Sequence, residues 1–171
     1  HLSMPELERH LESASRTCDR ALIVTDGVFS MRGDYAPLAE IMALARHYET
    51  EYSEGVLVIV DDSHGIGALG DGGRGTEEIA KSGPADILVA TLGKALGVNG
   101  GYVVANATIV DFLRETSPFY IYSNPITPGE AAFMNPSTGP WLSTAARRFC
   151  RSSCSGPMSL TAISPTQQGR R

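Results

Sequence analysis

Lysine is almost absent from this 171-residue sequence, which contains only Lys81 and Lys94. Acidic residues outnumber basic ones, 19 against 14, for a net charge of −5. That balance argues against a surface that holds nucleic acid by charge. Cysteine is scarce too, with Cys18, Cys150 and Cys154 only. An odd count without framework spacing excludes a disulfide-stapled fold and fits a reducing, cytoplasmic setting. Cys150 and Cys154 have no histidine partners nearby, which argues against a zinc site. The apolar run 56–60 is only strand-length, and nothing approaches the ~20 residues of a membrane span. No signal peptide is visible, and the chain opens on His1 rather than Met, as expected of a longer protein whose N-terminal part is missing.

Asp, Glu and Lys are all missing from residues 135–171. That segment is rich in Ser, Thr, Pro and Gly and has no sustained apolar period. It reads as disordered or as foreign, frameshifted sequence outside the domain. Its five arginines are the only charges there, so residues 1–134 carry −10. The single tryptophan, Trp141, lies in this tail and receives no role. At 42% hydrophobic, the chain can still bury a core.

Residues 1–134 alternate strand and helix. Strands are expected at 21–25, 55–62, 86–91 and 101–105, where apolar runs are continuous. Helices are expected over 37–48, with Pro37 in the first turn and Asp34 as a nearby cap, over 76–83, and over 107–117. Continuous apolar strands separated by helices define an α/β fold with a mostly parallel sheet. Ligands of such sheets sit beyond the carboxyl ends of the strands. The first three strands end in polar residues: Thr25-Asp26, Asp61-Asp62-Ser63-His64, and Thr91 followed by Lys94.

The stretch "IVDDSHGIGALGDGGRG" (59–75) contains Gly65-x-Gly67-x-x-Gly70, the letters of a dinucleotide fingerprint. Four polar residues separate it from the strand, and further glycines follow where a helix should open, so the context is wrong. Asp61, Asp62 and His64 could ligate a metal, but one short stretch supplies too few ligands. Asp61 and Asp62 could instead simply cap a loop.

Lys94 lies in "VATLGKALGVNGG" (89–101), with apolar residues and glycines on both sides. A solvated loop lysine is the ordinary outcome. A lysine against dry walls would instead become a usable amine nucleophile, suited to a Schiff base. Pyridoxal phosphate requires such an amine, a carboxylate for its ring nitrogen, a partner for its phenolic oxygen and donors for its phosphate. Lys94, Asp61, His64 and Thr91 offer one of each.

"TDGVFSMRGDYAPLAEI" (25–41), "VDDSHGIGALGDGGRGTEE" (60–78), "TLGKALGVNGG" (91–101) and "YSNP" (122–125) together resemble the α-oxoamine synthases. These are fold-type I pyridoxal-phosphate enzymes that condense an amino acid with an acyl-CoA, and the resemblance covers residues 5 to 133. It implies the central part of an aspartate-aminotransferase-like large domain, a mostly parallel sheet with helices on both faces. It implies that Lys94 carries the cofactor, Asp61 pairs with the pyridinium nitrogen and His64 bonds the phenolic oxygen with Ser30 near the same edge. Thr91 would hold the phosphate, while Ser123 and Asn124 match a segment that reaches the neighbouring subunit's phosphate in a homodimer. The glycine C-acetyltransferase branch is the nearest look. It implies that glycine and acetyl-CoA give 2-amino-3-oxobutyrate and CoA, with 8-amino-7-oxononanoate synthase as the alternative. The family's glycine-rich phosphate loop, its ring-stacking aromatic and its carboxylate-gripping arginine have no counterpart here. A non-catalytic remnant, poorly soluble alone because a sheet face is bare, is therefore the competing expectation.

Overall fold

The computed structural model describes residues 1–122, 126–134 and 160–163. Helix α1 spans Met4–Ala14, opened by the Ser3 side chain and a proline in the first turn. Strand β1 (Ala21–Asp26) follows, then a small hairpin of β2 (Val28–Phe29) and β3 (Asp34–Tyr35). Helix α2 (Leu38–Tyr48) and a 3-10 turn (Glu49–Glu51) lead into β4 (Val56–Asp61). Then come α3 (Thr76–Ala80), β5 (Ile87–Thr91), β6 (Gly101–Ala105) and α4 (Ala107–Thr116). Two short helices, α5 (Pro118–Ile121) and α6 (Pro128–Met134), precede a last strand, β7 (Leu160–Ile163).

The main sheet has the order β1-β4-β5-β6-β7. Its first three strands are parallel, with Asp26 beside Asp61 and Asp61 beside Val89. All three polar strand ends therefore share one edge, the edge at which α/β sheets bind ligands. Strand β6 enters antiparallel, as does β7 against it. An apolar run such as "GYVVA" looks the same in either direction, so its sense is not written in its composition. Strand β7 falls inside the segment expected to be disordered or foreign. The rest of that segment, Cys150 and Cys154 included, lies outside the described residues.

Helices α1 and α2 cover one face. Leu38 of α2 meets the Val58 and Val60 side chains of β4, all fully buried, among Ile41, Met42 and Ala45. Each such side chain contributes about 1.5–3 kcal/mol by leaving water. The opposite face of β1 is bare, with Leu22 57% and Val24 69% exposed. Tyr52 ties the corner together, since its hydroxyl donates to the Leu11 carbonyl at 2.7 Å. The segment before β4 closes on itself: the Val56 N–H donates to Glu49 Oε2 at 3.0 Å.

Two local expectations change. Asp34 does not cap α2, whose first turn follows Pro37 with no side-chain cap. Asp34 sits in β3 instead and pairs with the Arg32 guanidinium at 3.1 Å. Helix α3 stops at Ala80, before Gly83, because Lys81 takes a left-handed conformation at φ 52°. A side chain there is strained, whereas glycine is not. Lys81→Gly should raise stability by about 0.5–1 kcal/mol, read as a higher urea midpoint with unchanged slope.

Candidate active site

The site is assembled from two loops at the shared strand edge. The first leaves β4. Asp61 is its last strand residue, exposed, and its Oδ1 accepts the Ser63 N–H at 2.9 Å. His64 follows, also exposed. Asp62 between them points the other way and is fully buried. Its Oδ2 accepts the Thr76 N–H at 2.7 Å, and its Oδ1 accepts the Thr76 hydroxyl. Burial pushes the Asp62 carboxyl above its ordinary range, against the Thr76 hydrogen bonds that pull it down. Of the two aspartates, then, one is presented at the edge and the other is built into the fold.

The second loop leaves β5. Its ends are closed by the Leu92 N–H donating to the Gly100 carbonyl at 2.9 Å. Leu92 and Leu96, two residues either side of Lys94, are buried with Ile66 and Tyr102. The pinned leucines lift Lys94 out, and it is exposed. The apolar residues flanking it in sequence are thus anchors, not the dry walls expected around its amine. Thr91 is committed within the loop: its hydroxyl donates to the Gly100 carbonyl and accepts from the Gly93 N–H, both at 3.1 Å. A phosphate taking that hydroxyl's hydrogen must displace the Gly100 carbonyl.

Ser63 joins the loops, a contact that sequence reasoning missed. Its Oγ accepts the Thr91 N–H at 3.0 Å while its own N–H holds Asp61. An open cleft of about 260 Å³ runs past Ser63, Thr91, Gly100 and Gly101. A second missed residue, Glu130, opens α6 and accepts the Asn99 side-chain amide at 3.1 Å, so α6 latches the far end of the lysine loop. Ser30 is exposed in the turn of the β2–β3 hairpin, whose base is hydrogen-bonded to the Asp61 carbonyl through the Gly27 N–H at 2.8 Å. Ser123 and Asn124 lie outside the described residues.

The glycine-rich loop is occupied by its own chain. The Gly67 N–H donates to the Gly73 carbonyl at 2.8 Å, and the Gly72 and Arg74 N–H groups donate to Glu78 at 2.7 and 2.9 Å. A dinucleotide fingerprint would leave such donors facing a pyrophosphate. The Gly72 bond, then that of Arg74, holds the Glu78 carboxyl below its usual range. A lowered folded-state pKa contributes stability above the ordinary carboxylate range and loses it as pH falls through the lowered value. Glu78→Gln should therefore cost about 1 kcal/mol near neutrality, with the gap to wild type narrowing in denaturation curves as pH falls below the ordinary carboxylate range.

Among the described residues, no three His, Cys, Asp or Glu side chains converge as a metal requires. No described helix is long and apolar enough to cross a membrane.

An amine, a carboxylate and an imidazole thus lie on two bonded loops at the ligand edge of an α/β sheet. Those are three of the four groups a pyridoxal-phosphate site requires. Residues 1–168 match the family model described as aminotransferase class I and II. The chain is 41% identical over 133 residues to 8-amino-7-oxononanoate synthase of Thermosipho melanesiensis, covering 77% of this chain and 32% of that protein. Its identity to the same-named protein of Geobacter sulfurreducens is 45% over 133 residues, again 77% and 32%. Among solved structures, serine palmitoyltransferase from S. paucimobilis with PLP and myriocin bound is 31% identical. It aligns at a TM-score of 0.64 over 89% of this chain and 35% of that one. The chain belongs to the aminotransferase class I and II family and, within it, to the α-oxoamine synthases, whose cofactor is pyridoxal 5'-phosphate. It spans about a third of the length of the curated relatives it matches.

Proposed function

We propose that the chain is the cofactor-binding part, residues 1–134, of an acyltransferase of the 8-amino-7-oxononanoate synthase kind. The observation that carries this is the 41–45% identity to relatives of that name over 133 residues. The glycine and acetyl-CoA reading is displaced accordingly: the relatives' names favour the 8-amino-7-oxononanoate synthase alternative, for which we take alanine and a pimeloyl donor as the substrates to test.

Pyridoxal phosphate, when bound, supplies an electron sink for a carbanion at the amino acid's Cα. The chain's residues supply the rest. Lys94 Nζ is the amine nucleophile that holds the cofactor aldehyde. As a free amine, Lys94 would take the Cα proton. Asp61 holds the proton on the ring nitrogen through a fixed opposite charge. His64 bonds the phenolic oxygen from three residues on, with Ser30 beside it. Thr91 would hold the phosphate, its hydroxyl leaving the Gly100 carbonyl, and in a homodimer Ser123 and Asn124 would serve the neighbouring subunit's phosphate. The whole protein acts in the cytoplasm.

The full-length parent should be assayed with glycine against alanine and acetyl-CoA against pimeloyl donors. The expected result is at least a tenfold higher kcat/KM for alanine with the pimeloyl donor, about 1.4 kcal/mol of discrimination. A preference for glycine and acetyl-CoA would overturn the assignment.

A further inference from the structure

We infer that Asp62 is a positioning residue of the proposed cofactor site: its buried carboxylate clamps the 61–64 turn and so aims Asp61 and His64 at the strand edge. The inference rests on that reading of the site. Three sets of contacts carry it.

The first is orientation. In β4, Val56, Val58 and Val60 are buried and alternate with outward residues. Asp62 continues the buried series one residue past the strand, which leaves Asp61 on the other side.

The second is the clamp itself. The Asp62 carboxylate takes both the N–H and the hydroxyl of Thr76, itself fully buried at the start of α3. Its main chain is held as well. The Asp62 N–H donates to the Val89 carbonyl at 2.8 Å, and its carbonyl accepts the Gly65 and Ile66 N–H groups, each at 3.0 Å. One residue thereby joins β4, β5, the glycine-rich loop and α3.

The third is the room made for it. Gly27, Gly65 and Gly75 come from three separate segments, and a Cβ on any of them would collide with the Asp62 carboxylate. Of these, only Gly75 has a positive φ. Gly27 and Gly65 need no left-handed backbone, so the carboxylate's space is what requires glycine there. Gly27 also bonds the Asp61 carbonyl, so the box around Asp62 and the seat of Asp61 are one structure.

The test compares Thr76→Val, Thr76→Ser and Asp62→Asn with wild type. Thr76→Val removes one bond of the clamp and keeps the shape. Thr76→Ser keeps both bonds. Asp62→Asn keeps them in altered form, with its oxygen accepting the Thr76 N–H and its amide donating to the Thr76 oxygen. Two readouts are taken on protein shown to be folded by circular dichroism: amide exchange at Ser63 without cofactor, and pyridoxal-phosphate affinity from the visible band of the Lys94 adduct. Thr76→Val should speed Ser63 exchange and weaken cofactor binding by about fivefold or more. The Thr76→Ser and Asp62→Asn variants should stay within about twofold of wild type. A purely structural role would lower the melting temperature of Thr76→Val and leave both readouts unchanged, which overturns the inference. Absence of a Lys94 adduct in wild type overturns the site reading instead. The Ser63 exchange rates then still decide whether the clamp holds the turn.

Discussion

Lys94→Ala should lose turnover by a factor on the order of 10³ to 10⁶ in the full-length protein, the range for removing a nucleophile that no neighbour replaces. Within these 171 residues the other lysine, Lys81, caps the end of α3. Stability should barely move, by less than about 0.5 kcal/mol, because the lysine side chain is exposed. The loop is held by Leu92 and Leu96, which the substitution leaves in place. Activity and melting temperature measured on the same preparation separate the two effects. An active Lys94→Ala protein would remove Lys94 from the chemistry. A large fall in melting temperature would instead make it a structural residue.

Gly75→Ala should have the opposite profile. Gly75 has φ 76° and ψ −149°, a backbone region that essentially only glycine occupies. An added Cβ would also meet the Asp62 carboxylate and lie 3.1 Å from Ile66 Cδ1. Backbone strain and overpacking together cost about 2–5 kcal/mol, against a typical total stability of about 5–15 kcal/mol. Urea denaturation should show a large fall in midpoint or no folded baseline. A midpoint within error of wild type would mean that the loop relaxes freely and that the box around Asp62 is not rigid.

The parallel strands were legible because each is a continuous apolar run ending in polar residues. Predicted and observed limits differ by at most a residue at each end, as for 55–62 against Val56–Asp61. Helix α1 also has a local signal in the sequence: Ser3 followed by Pro5 and Glu6, a cap with a proline and an acid in the first turn. The inward turn of Asp62 was also readable. The alternation of Val56, Val58 and Val60 extends to position 62, so the second aspartate of the pair is the buried one. The exposure of Lys94 was harder to see. Apolar neighbours in sequence suggest a dry pocket, but the loop bends and turns between Leu92 and Leu96, which take the inward side while Lys94 is left exposed. The direction of β6 and the Ser63–Thr91 bond depend on which strands meet, which no local pattern records.

The account turns on Lys94 as the residue that carries pyridoxal phosphate. The chain is mixed with the cofactor, reduced with borohydride and digested, and the modified lysine is mapped by mass spectrometry. With Lys81 and Lys94 the only lysines, the assignment has two side-chain outcomes. The account predicts the adduct on Lys94 with Lys81 unmodified. Equal labelling of both, or none, would contradict it.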